Sequence, residues 1–532
     1  MSSSADPSVA VTASVPPAAL SPFASVPVLV VLAATLSLHL PAIGAYGIFI
    51  DELYYLACAE RLAWGYVDHP PVIAWVTWFA RALAGDWLPG LRLPALAAGL
   101  ATIAMGALMA RELGGGRFAQ TLTAALVALA PLLVFHRHVL SMNAFDVLFI
   151  AGLFWIVLRI DGLEVSGARR QAVERWWIAL GALGGLALLT KLTPAFFGVG
   201  FGLAVLVAPQ RRWLRRRGPW LAVALSGAIF LPHVMWQIAH GWPTLEFMHN
   251  ASTIKNRALS PTEFLLGHVS NAGHVAFLVI VVGWIVALAA PRRRFLAVGY
   301  LATLVLFAVG GGKPYYLGAA LPLVFALGTV AIERWTRRLA WARFLRVALI
   351  VLVVAAGLPA LPSVLPILPP PVAAQYFEAI GGTPESAENK EVGPLPQHFA
   401  DMFGHRQLVE DVAAVRDALP LAEQESLAIF GVSYAQAGAI DFYGPGFDLP
   451  PAMSGHNTYL LWGPTPKAHE ADVWLVLGGS REAVEASFAD VELGALSDDP
   501  YAMPWRRNLP IWIAREPRRA LDDEWRSLKL FE

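Results

Sequence analysis

Two short motifs gather the groups in this chain that could do chemistry. Asp51 and Glu52 stand side by side, with Tyr54 and Tyr55 close behind. Asp68 and His69 follow in the run Gly65-Tyr66-Val67-Asp68-His69-Pro70-Pro71. Both motifs lie after the first membrane-length apolar run, which holds acids and a histidine at a bilayer surface. A helix bundle needs no charges there to form. Asp51 could be a general base, a divalent-metal ligand or the N-cap of the helix that follows. A cap does not explain Glu52 and Asp68 on the same loop. Asp51, Glu52 and Asp68 together make a water-facing carboxylate cluster, suited to a hydroxyl acceptor or a divalent cation. His69 is either a phosphate-binding cation or an interfacial polar residue, and spacing alone does not choose between them.

The rest of the chain must hold that loop at a membrane. Of 532 residues, 57% are apolar and 15% charged, and the mean hydropathy is +0.55. A soluble protein of this length needs more polar surface, so a polytopic α-helical membrane protein is expected. Zero formal net charge argues against a nucleic-acid partner. The single cysteine, Cys58, excludes an internal disulfide. A span takes about 20 apolar residues. Candidates fall at 26–48, 90–110, 118–135, 141–159, 176–190, 193–208, 219–238, 272–290, 295–311, 315–333 and 343–362. That is about 11 spans.

Arginine-rich loops alternate with poor ones, which puts the amino terminus in the cytoplasm and the Asp51 loop, the 239–271 loop and the carboxy-terminal region outside. Residues 1–25 carry no basic residue and are expected to be a disordered cytoplasmic tail. The membrane region is 26–362, with a first external loop at 49–89, and the proline-rich stretch 363–371 reads as a stiff linker. Beyond it, 372–532 has the composition of a small α/β extracytoplasmic domain. Strands are expected at 426–432, 471–478 and 511–515, and helices at 398–418 and 481–490. The first loop itself should form two interfacial helices, 52–63 and 70–84, with Pro70-Pro71 in the first turn of the second.

Other polar residues fall at external span ends. Asn143 and Asp146 open the fourth span, where a carboxylate either lines a cleft or reaches headgroup water. Lys191 and Lys313 are snorkelling anchors or cations for a lipid phosphate. His233, Trp236, His240 and Trp242 lead into the third external loop, with Glu246, His249 and Lys255 beyond, but without standard zinc spacing. No Walker loop, dinucleotide fingerprint or nucleophile elbow is present.

Taken together, Asp51-Glu52-Leu53-Tyr54-Tyr55, Gly65–Pro71, Lys191-Leu192-Thr193, the 232–243 stretch and Lys313-Pro314-Tyr315-Tyr316 resemble the bacterial family 39 glycosyltransferases. These are related to the protein O-mannosyltransferases and the lipid A aminoarabinose transferases. The resemblance implies the C-type glycosyltransferase architecture in the bacterial inner membrane, with a polyprenyl-phosphate sugar as donor. It implies that Asp51 acts as base or electrostatic anchor. In the aminoarabinose transferases the second motif reads acidic-Lys-Pro-Pro. Here His69 stands at the lysine position, which makes phosphate binding there pH-sensitive in principle. The 395–404, 454–457 and 462–464 motifs are similar to the tails of many bacterial members, without a role attached.

The expected reaction is an inverting single displacement at the external face, with a lipid, glycan or protein as acceptor. A carboxylate with a pKa near 4 is a weak base toward an alcohol. Proton transfer must therefore lag bond formation, and the leaving phosphate needs His69, Lys191 or Lys313 to stabilise it. Tyr54, Tyr55, Asn143, Asp146, Tyr315 and Tyr316 are the candidate substrate contacts. No cofactor is required beyond a possible divalent cation. The rival functions are a transporter or lipid flippase, disfavoured by the lack of an internal repeat, and a ligand sensor built on the outer domain.

Overall fold

The computed structural model describes residues 20–380 and 388–532. Residues 1–19 of the expected tail lie outside that range, and a helix already starts at Ser25. Five helical stretches are long and apolar enough to cross a membrane among the described residues: Leu88–Glu112, Met142–Val165, Arg217–Ala239, Pro314–Thr336 and Ala342–Ser363. Two bent pairs, Thr193–Leu206 with Pro209–Arg215 and Pro261–Ala272 with His274–Ala289, raise the number to seven if each is one span. The expected spans at 26–48, 118–135 and 295–311 correspond to the shorter apolar helices Ser25–His39, Arg117–Leu129 and Arg294–Val309. Proline sets one of these limits. Pro131 has no N–H to continue the Arg117–Leu129 helix, and a new short helix, Pro131–His136, starts there.

Small residues let the helices approach. A Cβ at Gly181 would lie 2.8 Å from the Ala222 backbone, and one at Gly185 would lie 2.5 Å from Ile229. That close seam joins Arg170–Leu188 to Arg217–Ala239, as expected where lipid supplies no hydrophobic drive and packing must.

The first loop forms two helices, Ile50–Glu60 and Val72–Ala84. Phe49, not Asp51, is the N-cap of the first, and Glu52 closes its first turn by accepting from the Phe49 N–H at 2.7 Å. Pro70 and Pro71 precede the second helix rather than opening it, with Pro71 at the N-cap.

The carboxy-terminal region holds a five-stranded sheet of β1 (Leu427–Gly431), β2 (Ala452–Met453), β3 (Val473–Leu477), β4 (Phe488–Ser497) and β5 (Leu509–Pro517), in the order β2-β1-β3-β5-β4. β1 runs parallel to β2 and β3, while β5 is antiparallel to β3 and β4. β3 is buried throughout, consistent with its unbroken apolar run. No strand was expected at β4, and only its first residues, 488–490, were expected as the end of a helix. β4 is an edge strand whose mostly exposed residues give no apolar face to read, and the helix there ends at Glu485. Likewise the helix expected at 398–418 breaks into Gln397–Ala400 and His405–Ala418 around Gly404, whose φ of +82° only glycine adopts freely.

The sheet and the first loop share one hydrophobic core. Leu53, Tyr54 and Tyr55 belong to the same buried cluster as Ile429, Leu475 and Ile511. The helix Tyr434–Tyr443 lies against Ile50–Glu60, close enough that a Cβ at Gly438 would meet Leu53 at 3.1 Å. The loop that carries Asp51 is thereby wedged between the membrane helices and the sheet.

Candidate active site

A cavity of about 310 Å³ opens where these parts meet. Asp51 and Asp68 border it on one side, and Lys191, Lys255, Lys313, Tyr315 and Tyr316 on the others. Phe196, Leu306, Phe307, Phe247 and Met248 give it an apolar flank.

Asp51 sits in the first turn of its helix with its side chain directed at the cavity. Tyr434, from the sheet side, donates to Asp51 Oδ1 at 3.2 Å. Enclosure by protein pushes the Asp51 carboxyl up to about 7, with Lys255 opposing the shift and Asp68 and Asp401 adding to it. A carboxyl near 7 is a far better proton acceptor than an ordinary aspartate. Asp68 is held by Tyr54, whose hydroxyl donates to Asp68 Oδ1 at 2.8 Å and meets Thr458 Oγ1 at 2.6 Å. Thr458 also accepts from the Val67 N–H at 3.0 Å, pinning the second motif to the 454–458 segment.

Lys191 occupies the break between Arg170–Leu188 and Thr193–Leu206. Its Nζ donates to Asn143 Oδ1 at 2.6 Å and lies over the rings of Tyr315 (5.0 Å) and Tyr316 (4.7 Å). Burial pushes its ammonium down to about 8, Asp146 opposing and Lys313 assisting. Lys313 is lowered as well, chiefly by burial. It follows Gly310-Gly311-Gly312, and Gly311 at φ +69° makes the turn that delivers it to the cavity. Neither lysine makes an ion pair within 4.0 Å among the described residues, so both charges remain available to an anion.

Several expected site residues stand elsewhere. Glu52 is not part of the carboxylate cluster. Its side chain faces the opposite way and pairs with Arg92 at 2.8 Å, both groups being buried. His69 does not reach the cavity. Its Nδ1 meets the Pro70 carbonyl at 2.8 Å and its ring is packed among Tyr54, Tyr55 and Tyr66. Tyr54 is spent on Asp68 and Thr458, with 2% exposure left for a substrate. Tyr55 does border the cavity. Asn143 and Asp146 lie behind Lys191 and act on it rather than lining the space. His233 bonds the Trp64 carbonyl at 3.0 Å and His240 stacks on Trp236, so both anchor the first loop or their own helix. Among the described residues no three His, Cys, Asp or Glu side chains converge as a metal site.

Lys255, Glu388, Tyr434, Asn457 and Thr458 were not expected at the site. Lys255 pairs with Glu388 at 3.6 Å, and Asn256 bridges to Glu388 as an isolated antiparallel ladder, closing the cavity's outer side. Two of them carried a signal: Lys255, as one of three lysines between 60 and 320, and Asn457, in the unassigned 454–457 motif beside Thr458.

Residues 68–236, less than half of the chain, match the model of the dolichyl-phosphate-mannose-protein mannosyltransferase family. A lipid A galacturonosyltransferase of Rhizobium johnstonii is 29% identical over 199 residues, 36% of this chain and 39% of that protein. The chain therefore aligns with well under half the length of that relative. The fold matches the crystal structure of ArnT from Cupriavidus metallidurans in the apo state, with a TM-score of 0.59 at 17% identity over 91% of this chain and 96% of that one. The same protein bound to undecaprenyl phosphate gives 0.57 at 18% identity, over 92% and 97%. The chain thus has the fold of ArnT, and its residues 68–236 are similar to the dolichyl-phosphate-mannose-protein mannosyltransferase family.

Proposed function

We propose that this protein transfers a sugar from a polyprenyl-phosphate donor to an envelope acceptor, at the external face of the bacterial inner membrane, with inversion at the anomeric carbon. The observation that carries this reading is the cavity itself. A carboxylate tuned toward neutrality faces two lysines that make no ion pair among the described residues, across a space with an apolar flank. The apolar flank suits an isoprenoid carrier, and Lys191 and Lys313 suit its phosphate. The acceptor hydroxyl attacks the anomeric carbon, its proton passes to Asp51, and the phosphate leaves with the bonding electrons toward the lysines. Asp68 supports the same face of the cavity, and Tyr55 and Tyr315 offer surfaces for the sugar. The relative's action on lipid A supports an envelope acceptor, and the neighbour's binding of undecaprenyl phosphate supports the donor class.

Purified protein in lipid nanodiscs should release polyprenyl phosphate from a labelled polyprenyl-phosphate sugar, and faster when an acceptor is added. A transporter or a ligand sensor would release none.

Two predictions belong to this reading. Lys191→Met should lower affinity for undecaprenyl phosphate about 10- to 100-fold, the worth of one charged hydrogen bond in a buried site. Tryptophan-quenching titration with the carrier measures it, and unchanged affinity removes Lys191 from phosphate binding. The second concerns pH. Asp51 must be ionised to accept a proton, so activity rises as pH climbs through about 7. Lys191 must be charged to hold the phosphate, so activity falls as pH passes about 8. The expected profile of kcat/KM is a narrow bell centred between these values. Lys191→Arg, which stays charged, should move the alkaline limb to higher pH, where Lys313 alone sets it, and leave the acid limb in place.

A further inference from the structure

An apolar groove of about 550 Å³ lies across the helix Thr193–Leu206 from the active-site cavity. Phe196 borders the cavity and Phe197 the groove, and the two spaces share no bordering residue. The groove's other walls are Met142–Val165, Arg170–Leu188 and Arg217–Ala239. Glycines make the room: a Cβ added at Gly198, Gly202 or Gly227, all on its border, would meet nothing within 4 Å. Trp220 and Val223 also border it and are 60% and 66% exposed, so it opens sideways to the bilayer. The one hydroxyl on the border, Ser226, is spent on the Gly181 carbonyl at 2.9 Å. Water finds few polar partners along such walls, whereas a hydrocarbon chain fills them.

One end of the groove is charged. Arg170–Leu188 and Arg217–Ala239 run parallel, because Gly218 meets Trp177, Gly181 meets Ala222 and Gly185 meets Ile229. Their arginine-bearing starts therefore lie together, at the end away from Lys191. Thr193–Leu206 bends there by 108° into the turn Pro209–Arg215, whose Trp213 and Leu214 border the groove. The turn is pinned: Gln210 donates to Asp161 Oδ1 at 2.9 Å, and Trp213 to Glu164 Oε2 at 2.8 Å. Of the five arginines between 211 and 217, Arg212 and Arg216 pair with Glu164 at 3.3 and 3.0 Å. The neighbouring acids Asp161 and Glu174 have partners of their own, Arg292 at 2.9 Å and Arg170 at 2.7 Å. Arg211, Arg215 and Arg217 are exposed and make no ion pair within 4.0 Å among the described residues.

We propose that this groove binds one anionic phospholipid from the leaflet opposite the active site. An acyl chain lies along the glycines, and the phosphate sits at Arg211, Arg215 and Arg217. The length agrees. From Trp177 to Leu188 the groove runs about 16 Å by helical rise, close to the depth of one leaflet. The sugar donor's carrier fits less well, since its phosphate belongs with Lys191 and Lys313, in a space with no wall in common.

The test is native mass spectrometry of the full chain, delipidated in detergent and titrated with phosphatidylglycerol or phosphatidylcholine of matched acyl chains. One phosphatidylglycerol should bind about tenfold or more tighter than phosphatidylcholine. Replacing all three free arginines (Arg211→Gln, Arg215→Gln and Arg217→Gln) should bring the two lipids within about twofold of each other. Gly198→Leu with Gly202→Leu fills the groove and should weaken phosphatidylglycerol about tenfold or more. A monodisperse gel-filtration peak reports folding, and Val223→Trp, which fills the groove from its exposed rim, replaces the glycine pair if that pair misfolds. Equal affinity for the two lipids, an unchanged preference without the arginines, or undiminished binding with the groove filled overturns the proposal. Displacement of phosphatidylglycerol by equimolar undecaprenyl phosphate also overturns it, and would make the groove a carrier site.

Discussion

Asp51→Asn is expected to cut sugar transfer by about 10²–10⁴-fold while the protein gains stability, and the two effects have one cause. Enclosure holds the Asp51 carboxyl near 7 in the folded protein, whereas an unfolded chain restores it to 3.8. Between those values the unfolded state loses its proton first, so folding stability falls as pH rises from about 4 to about 7. Above that the cost is complete, up to about 4 kcal/mol. Asparagine has no charge to desolvate. Its stabilising effect should therefore be largest at pH 8 and absent below about pH 4, read as the shift in thermal midpoint against wild type. Undecaprenyl phosphate should still bind, since the lysines are untouched. Transfer close to wild type in this variant, or a midpoint gain independent of pH, would sink the assignment of Asp51 as base.

The membrane nature, the two loop helices, β1 and β3 were all legible because apolar periodicity and length carry them. The sheet's edge was not, since β4 mixes Asp490 and Glu492 with small residues and buries little. Within the site, the sequence located the right loop but not the direction of each side chain. Asp51 and Glu52 are neighbours in the chain, yet successive helical residues diverge by about 100°. One reaches the cavity and the other the Arg92 side. His69 is a similar case. The substitution of histidine for lysine was visible, but not that the ring would turn inward onto the Pro70 carbonyl among three tyrosines. Tyr434 was out of reach for another reason: it lies 383 residues from Asp51 in the chain, and only the packing of the sheet on the loop joins them.

That packing transfers the burden of the site to Glu52, which makes the second large prediction. Glu52 Oε1 accepts from Arg92 Nε and from the Leu140 N–H, both at 2.8 Å, and Oε2 accepts from Arg92 Nη2 at 2.8 Å and the Phe49 N–H at 2.7 Å. Arg92 spends its remaining donors on the carbonyls of Ile43 and Gly47, at 2.8 and 2.7 Å. One carboxylate thus ties the first helix turn, the preceding loop and the start of Met142–Val165 to a single guanidinium. Arg92→Met leaves Glu52 buried and without its cation, and breaking such a pair costs about 3–5 kcal/mol. Glu52→Gln keeps the shape but turns one acceptor oxygen into an amide donor, so two of the four bonds are lost and Arg92 is left buried without its anion, at a cost of similar size. If the pair only supports folding, both losses appear in the thermal midpoint and the surviving folded protein turns over normally. If it also positions Asp51, Glu52→Gln at a temperature where it is fully folded should lower kcat about tenfold or more with carrier affinity unchanged. A double-mutant cycle on Glu52→Gln and Arg92→Met, read in both midpoint and kcat, separates the two. The buried geometry favours coupling in both, because Asp51 occupies the helix turn that Glu52 closes.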